Sequence, residues 1–330
     1  MKQEIIIGFN EKDQRLDKFL RKVFKDVELS LIFRDIRKGN IKVNGKKSSV
    51  DYKLKENDVL RIFGYHYDLK GKNQEKYEID KNYNYLKPKI CFEDSNILVV
   101  IKDIDTLVHS NGDEEVIDLT KNVRTYLSKK GDYVPEKNLT FSPSPVNRLD
   151  RNTYGLVMFG KNNTSLNELN SVIRERKVSK YYRALVEGKI KNGVYKAYIK
   201  KDHKLNKSVV SNKKDDESKE IQMEINMLDT NGVVSLVEIK LITGRSHQIR
   251  SHFKFLGNPI IGDLKYGNKE LRNYFFNKYG VENQLLFAYK LVFNEIDENM
   301  SINYLNNKVI VMPFPSRFKR IMKQEFKITV

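Results

Sequence analysis

The sequence predicts an α+β protein, in which a small N-terminal α/β domain precedes a large domain built on a mixed, mostly antiparallel sheet with flanking helices. Three observations lead to this prediction. Residues 1–65 combine two helical segments with short strands, residues 66–88 are polar, and residues 89–330 contain many strand-like segments with few helical ones between them. Hydrophobic residues make up 39% of the 330 residues, which is enough for two cores.

Two helices are predicted in the N-terminal domain. In Arg15–Phe24 the apolar residues recur at i, i+3, i+4 and i+7, which is the spacing of an amphipathic helix. Leu29–Asn40 is predicted as a second helix, with Ser30 as its N-cap and Gly39 as the residue that ends it.

Short strands complete this domain. The segment IKVNGKKS alternates apolar and polar residues and contains Asn44-Gly45, a strong signal for a hairpin turn. Asn57–Phe63 is predicted as a further strand. Residues 66–88, rich in Lys, Asn and Tyr and closed by Pro88, are predicted as a linker.

The large domain, residues 89–330, is predicted to be dominated by strands. KICFEDSNILVVIK contains two of them around a turn at Asp94–Asn96. Further strands are predicted in KYYRALVEGKI, VSLVEIKLI and KLVFNEI, and helices in NTSLNELNSVIRER and SHQIRSHFKFLG. Strands that follow one another with few helices favour antiparallel pairing, which is the basis of the predicted sheet.

The chain is strongly basic, with 61 Lys and Arg against 43 Asp and Glu and a formal net charge of +18. Such an excess attracts polyanions, either nucleic acid or an anionic membrane surface, unless it reflects compositional bias alone. No apolar run reaches the roughly 18 residues of a membrane span, and the N-terminus has no signal-peptide pattern. We therefore expect nucleic acid as the partner, and no membrane.

Cysteine usage indicates where the protein acts. Cys91 is the single cysteine, so no intrachain disulfide can form, and we expect a cytoplasmic protein. Cys91 lies in an apolar stretch, where a small buried side chain is the expected role.

One carboxylate has an unusual setting. Asp150 lies between Arg148 and Arg151, just before a turn-like Asn152–Gly155 and an apolar run. It is either a surface acid neutralised by its neighbours or a catalytic acid in a site built for a polyanion. A hydrolase with paired carboxylates would need a second acid, for which Asp263 is the one candidate, and Asp263 is otherwise expected to form a turn.

Other catalytic classes lack their motifs. The five histidines form no HExxH pattern, and no cysteine pair could complete a metal site. Glycine-rich phosphate loops and a nucleophile elbow are also absent. We therefore expect neither a metal nor a cofactor.

Three ordered motifs resemble those of the RluA-type pseudouridine synthases. They are NRLDRNTYGLVMFGK, SKYYRALVEG and TGRSHQIRSHFKFLGNPIIGDLKYG, followed by a late LLFAYKLVF. This sequence departs from the family pattern at Asn147 and Phe287, where the family has His, and at Tyr154, where it has Ser. Residues 1–65 resemble the S-four-type RNA-binding module of a ribosomal protein.

The resemblance implies roles for individual residues. Asp150 would act on the sugar or the base, as a nucleophile or as a charge stabiliser, while Arg250 keeps it ionised. Tyr182, and not Tyr181, would stack on the uracil and serve in proton transfer. Arg148 would fill the space left by a flipped-out base, and Arg151 is expected to contact phosphate. In the N-terminal module the expected RNA contacts are Arg15, Arg34, Arg37 and Lys38.

The resemblance also implies a substrate: large-subunit ribosomal RNA first and tRNA second. The reaction leaves the composition of the nucleotide unchanged, so it requires no cofactor, and we expect a monomer. A non-catalytic RNA-binding or ribosome-assembly factor on the same fold is the alternative, and the three departures leave room for it. Two basic segments remain open: Ile199–Glu220 is either a phosphate contact or a solvated loop, and PFPSRFKRIMKQEFKI either contacts RNA or packs.

Overall fold

The N-terminal sheet contains the hairpin that the sequence predicts. The structure is a computed structural model that describes residues 2–69, 85–110, 118–202 and 207–326. Four strands pair in the order β1-β4-β2-β3, and their bounds are β1 Lys2–Ile6, β2 Ile41–Val43, β3 Lys46–Lys47 and β4 Val59–Phe63. Between β2 and β3, Asn44 and Gly45 both have positive φ (50° and 78°), as a tight hairpin of this type requires.

Two helices cover this sheet, α1 (Leu16–Val23) and α2 (Leu29–Lys38). The apolar face predicted for α1 is buried in a core that also contains Tyr67, a residue of the predicted linker. Gly39 ends α2 in the left-handed conformation with φ 80°, as predicted. The rest of the predicted linker, residues 70–84, lies outside the described residues.

The prediction of Ser30 as N-cap is wrong. The structure places Ser30 inside α2 and Glu28 at the cap, and no side chain accepts a hydrogen bond from the first turn. The hydroxyl of Ser30 instead donates to Oε2 of Glu28 at 3.3 Å. Capping preference therefore misplaced the start of this helix by two residues, because Ser is also tolerated in a first turn.

The second sheet is mixed and mostly antiparallel, which confirms the predicted fold class. Its path is β11-β10-β12-β13-β9-β14-β8-β6-β5, with β15 beside β14 and β7 beside β8. The pair β14–β8 is parallel, whereas β9 is antiparallel to both its neighbours. The strand bounds are β5 Lys89–Glu93, β6 Ile97–Lys102, β7 Ser144–Pro145, β8 Tyr154–Gly160, β9 Val178–Glu187, β10 Gly193–Asp202, β11 Lys207–Ser211, β12 Lys219–Thr230, β13 Val234–Leu241, β14 Leu286–Phe293 and β15 Val309–Val311.

Five more helices follow α2 in the described residues. They are α3 Leu119–Lys130, α4 Asn163–Arg174, α5 Gln248–Phe255, α6 Lys269–Tyr279 and α7 Ser316–Phe326. The sequence predicted α4 and α5. The basic and aromatic tail forms α7, and its apolar residues Phe318, Ile321 and Met322 are buried, so packing accounts for this face of the tail. No helix of the described chain is both long enough and apolar enough to cross a bilayer.

Alternation along β9 divides the large core into two layers. Tyr182, Ala184 and Val186 pack with Ile249 and Phe253 of α5 on one face of the sheet. The side chain of Leu185 joins the separate cluster on the opposite face. Because successive side chains of a strand point to opposite faces, β9 carries Tyr182 on the face that α5 covers.

The described chain divides into two compact units, which we treat separately. Their bounds are Met1–Lys87, Thr120–Ser144 and Gly160–Asn167 for the first unit and Pro88–Leu119, Pro145–Phe159 and Glu168–Val330 for the second.

Candidate active site

Asp150 lies in the loop between β7 and β8, and its side chain is 24% exposed. A turn closes this loop, in which the Thr153 N–H donates to the carbonyl of Asp150 at 3.0 Å. The acid is thus held on an ordered loop with part of its carboxylate open to solvent. Such a position allows contact with a ligand, unlike that of a buried structural carboxylate.

Lys102, at the end of β6, holds the same loop from within. Its Nζ donates to the carbonyl oxygens of Asp103 (2.7 Å), Thr106 (2.9 Å) and Arg151 (2.7 Å). The side chain is fully buried, and burial lowers the pKa of Lys102 to about 8 although nearby aspartates, Asp150 among them, oppose the shift. Lys102 therefore fixes the backbone immediately after the acid, a role that the sequence analysis did not assign.

Arg250, in the first turn of α5, joins two carboxylates. Its Nη1 donates to Oδ2 of Asp150 at 3.0 Å, while Nε and Nη2 donate to the two oxygens of Asp263 at 2.7 and 2.9 Å. Burial acts to lower the pKa of Arg250, but Asp263 and then Asp150 outweigh it, and the pKa is raised. The guanidinium is a permanent cation that the fold holds against Asp150.

Asp263 forms the turn expected of it and also anchors Arg250. Its Oδ1 accepts from the N–H groups of Lys265 (2.9 Å) and Tyr266 (3.1 Å), and its side chain is 0% exposed. Gly262 before it has φ 81°, and a Cβ there would lie 2.3 Å from the carbonyl oxygen of Asn283, so glycine is required. Because both oxygens of Asp263 are occupied and buried, it does not serve as the second acid of a hydrolase.

Tyr182 lies on the same side of the sheet as α5 and is 6% exposed. Burial raises the pKa of its phenol, and the charge of Asp150 raises it further, which places the two groups within electrostatic reach. Tyr182 is therefore a neutral phenol at neutral pH. Tyr181 belongs to the other face, where the Nζ of Lys290 lies 4.1 Å from its ring centroid.

His247 completes the surroundings of Asp150. It precedes α5 with a left-handed φ of 53°, its Nδ1 lies 3.0 Å from the Tyr266 hydroxyl, and its Nε2 lies 4.0 Å from Oδ2 of Asp150. The Tyr266 oxygen accepts from the Ser208 N–H at 2.8 Å, which leaves its own proton to donate to Nδ1. Burial lowers the pKa of His247, so we assign a neutral ring with its proton on Nε2, toward Asp150.

The hypothetical RNA contacts near Asp150 differ from each other. Arg148 is exposed. Arg151 forms an ion pair with Asp105, 2.7 Å from Nε to Oδ1, in which both side chains are largely exposed. An exposed pair of this kind contributes little to stability, so a phosphate can replace the carboxylate.

In the N-terminal unit the predicted contacts are also of two kinds. Both oxygens of Asp17 accept hydrogen bonds from Arg15, each at 3.0 Å, so this guanidinium orients the start of α1. Arg34, Arg37 and Lys38 are exposed on α2. The Nε of Arg37 donates to the carbonyl oxygen of Phe33, which lies one turn before it on the same helix.

The departures from the family motifs lie in the packing around the site. Asn147 bonds the backbone of β8 twice, donating to the carbonyl of Leu156 (3.1 Å) and accepting from the N–H of Met158 (2.9 Å). Tyr154 and Phe287 are register partners on β8 and β14, with ring centroids 6.1 Å apart and an edge-to-face angle. None of the three touches the carboxylate of Asp150, since each bonds or packs against the strands. Within the described ranges, no three His, Cys, Asp or Glu side chains are grouped to hold a metal ion.

Comparison with known families identifies two regions of the chain. Residues 96–255 match the family described as RNA pseudouridylate synthase, and residues 14–60 match the S4 domain. The first match contains Asp150, Tyr182 and Arg250. The second contains the helices and the hairpin of the N-terminal unit.

Relatives match along nearly the whole chain. An RNA pseudouridine synthase of Mycoplasma capricolum is 32% identical over 320 residues, which are 93% of this chain and 96% of that protein. The ribosomal large subunit pseudouridine synthase C of Buchnera aphidicola (subspecies Baizongia pistaciae) is 32% identical, covering 95% of this chain and 94% of its own. The solved human RNA pseudouridylate synthase domain-containing protein 4 has the same fold, with a TM-score of 0.55, 20% identity, and coverage of 72% of this chain and 92% of that one.

Proposed function

Because the chain belongs to the RNA pseudouridylate synthase family, we propose that it isomerises uridine in structured RNA by means of Asp150, on a base that has left its stack. Large-subunit ribosomal RNA is the first proposed substrate, since relatives similar over nearly their whole length carry that substrate in their names. A tRNA is the second. The observation that carries the proposal is the 3.0 Å contact of Arg250 with a partly exposed Asp150.

The reaction defines what the residues must do. The bond between C1′ and N1 of uracil breaks, a bond between C1′ and C5 forms, and the proton on C5 is lost while N1 gains one. Positive charge develops on the sugar as the first bond breaks, so an ionised carboxylate nearby stabilises that state or bonds to it. Arg250 favours the ionised form of Asp150.

Tyr182 would supply the wall against which the base stacks and a phenol for proton transfer. Its raised pKa keeps the hydroxyl protonated, so it can pass a proton only when another group accepts it. His247, which points Nε2 toward Asp150, would help to orient the carboxylate.

Delivery of the base requires RNA contacts outside the pocket. Unstacking a base costs a few kcal/mol, and a side chain that fills the gap offsets part of this. Arg148, exposed two residues before the acid, is placed on the loop that would do so. Arg151 would exchange Asp105 for a phosphate.

The N-terminal region would bind the RNA and the rest would modify it. We propose residues 1–65 as the RNA-binding module, 66–88 as the linker and 89–330 as the catalytic domain of a cytoplasmic monomer. The exposed Arg34, Arg37 and Lys38 on α2 supply the phosphate contacts, and Arg15 holds Asp17 and the start of α1.

Mapping pseudouridine in total RNA from cells with and without the gene tests the proposal. One or more large-subunit uridines should lose the modification in the deletion strain, and restoring the wild-type gene but not the Asp150→Asn variant should return it. Sites lost from tRNA instead would move the substrate. Unchanged RNA in the deletion strain, or full rescue by Asp150→Asn, would leave the non-catalytic assembly factor as the better account.

A further inference from the structure

A basic cavity lies beside the candidate active site, at the ends of β10, β11 and β12. Its volume is about 370 Å³, and its wall includes the charged residues Lys200, Lys201, Glu217, Lys219 and Arg245. The Nζ of Lys200 is already paired with Asp215 at 2.8 Å. Within the part of the chain that the structure describes, the other three cations have no ion pair.

The cavity shares structural residues with the site around Asp150. Ser208 lines it, and the hydroxyl of Ser208 donates to the carbonyl of Ser246 at 2.9 Å. The N–H of Ser208 donates to Tyr266, which holds His247. Because His247 directly follows Ser246 in the chain, the wall of the cavity continues into the groups next to the acid.

We propose that this cavity binds the phosphate and sugar of a nucleotide that flanks the target uridine on the same RNA strand; the proposal rests on the proposed function. Lys201, Lys219 and Arg245 offer charge-assisted donors to one phosphate. The space exceeds that of a bare phosphate, so part of the nucleoside enters with it. Glu217 limits the positive charge of the cavity and opposes entry of a second phosphate.

Charge exchange at constant side-chain size tests the site. The double variant Lys201→Gln/Lys219→Gln is compared with Lys189→Gln/Lys191→Gln, two exposed lysines at the other end of β10. The ligand is an RNA oligonucleotide containing the mapped uridine, and its dissociation constant is measured by fluorescence anisotropy at several salt concentrations. For the cavity variant, the slope of log K against log salt should fall by roughly 1.4, from about 0.7 per contact with a single strand.

The opposite change gives the opposite sign. Glu217→Gln should tighten binding of the same RNA, and the Lys189→Gln/Lys191→Gln control should bind and turn over like wild type. A slope for Lys201→Gln/Lys219→Gln equal to that of the control would overturn the proposal. So would protection of the wild-type cavity by polyglutamate as effective as that by RNA, because the cavity would then select charge alone.

Neutral methylphosphonate linkages locate the phosphate. Placed one at a time along the oligonucleotide, one or two linkages next to the target uridine should weaken binding to wild type but not to Lys201→Gln/Lys219→Gln, a coupling that a double-mutant cycle measures. Equal losses in both proteins at every linkage would contradict the assignment. If wild type forms no pseudouridine in this RNA, the proposed function fails; if it does while the cavity variants behave like the control, only the cavity assignment fails.

Discussion

Replacing Asp263 with asparagine is predicted to destabilise the fold, although Asp263 is not proposed to touch the substrate. Its two oxygens accept from Nε and Nη2 of Arg250, and the two side chains are 0% and 8% exposed. Removing one partner of a buried ion pair leaves the other charge without its counterion, which costs about 3–5 kcal/mol. We expect a loss of this size for Asp263→Asn.

Asp150→Asn should have the contrasting effect. Arg250 retains both bonds to Asp263 in this variant, and the side chain of Asp150 is already 24% exposed. A partly exposed ion pair contributes on the order of 1 kcal/mol or less. Turnover should therefore vanish in Asp150→Asn while stability is nearly unchanged.

Thermal unfolding of the full chain, followed by circular dichroism, separates the two variants. A loss of about 3–5 kcal/mol lowers the Tm of a domain of this size by roughly 6–20 °C. Asp105→Asn, which removes the exposed partner of Arg151, is the matched control for loss of a carboxylate. A melting temperature of Asp263→Asn within about 2 °C of wild type would refute the assignment of Asp263 as the anchor of Arg250.

Three further predictions concern buried polar groups. Lys102→Met should lower kcat by disordering the loop around Arg151, while RNA affinity measured by anisotropy stays within a few-fold. Tyr266→Phe leaves the Ser208 N–H unpaired and should cost roughly 1–3 kcal/mol in urea unfolding. Burial lowers the pKa of His252 from 6.5 to about 4, so the unfolded chain binds the extra proton and stability should fall as pH drops from about 6.5 to about 4. His252→Gln should flatten unfolding midpoints across that interval, and an unaltered slope would count against a buried neutral ring.

The sequence was sufficient to predict which of the proposed site residues lie together, because three ordered motifs carry them. It could not show that one guanidinium serves two carboxylates. In IGDLKYG, Asp263 has the pattern of a turn residue, and it does form a turn, but its second role depends on burial against a helix that begins elsewhere in the chain. Lys102 was missed for a similar reason, because a lysine after an apolar strand ordinarily marks the point where the strand reaches solvent.

Missed elements had weaker local signals. Strand β1 is only five residues long and pairs with β4, so tertiary contact decides its conformation. Helix α6 could have been found, because Asn268 caps it by accepting from the N–H of Glu270 at 2.8 Å and that of Leu271 at 3.4 Å. An Asn followed by an acidic residue in the first turn is a recognisable helix start.

Sharing Arg250 between two acids gives Asp150 properties that a simple ion pair would not. The bidentate contact with Asp263 fixes the guanidinium, so Asp150 meets a cation whose position does not depend on Asp150 itself. The three groups together carry one negative charge, because one cation faces two carboxylates. That charge is available at the exposed oxygens of Asp150, where a sugar becoming positive would lie. An arginine paired with Asp150 alone would neutralise it and weaken that stabilisation, so the buried Asp263 matters to the chemistry through the charge balance as well as through position.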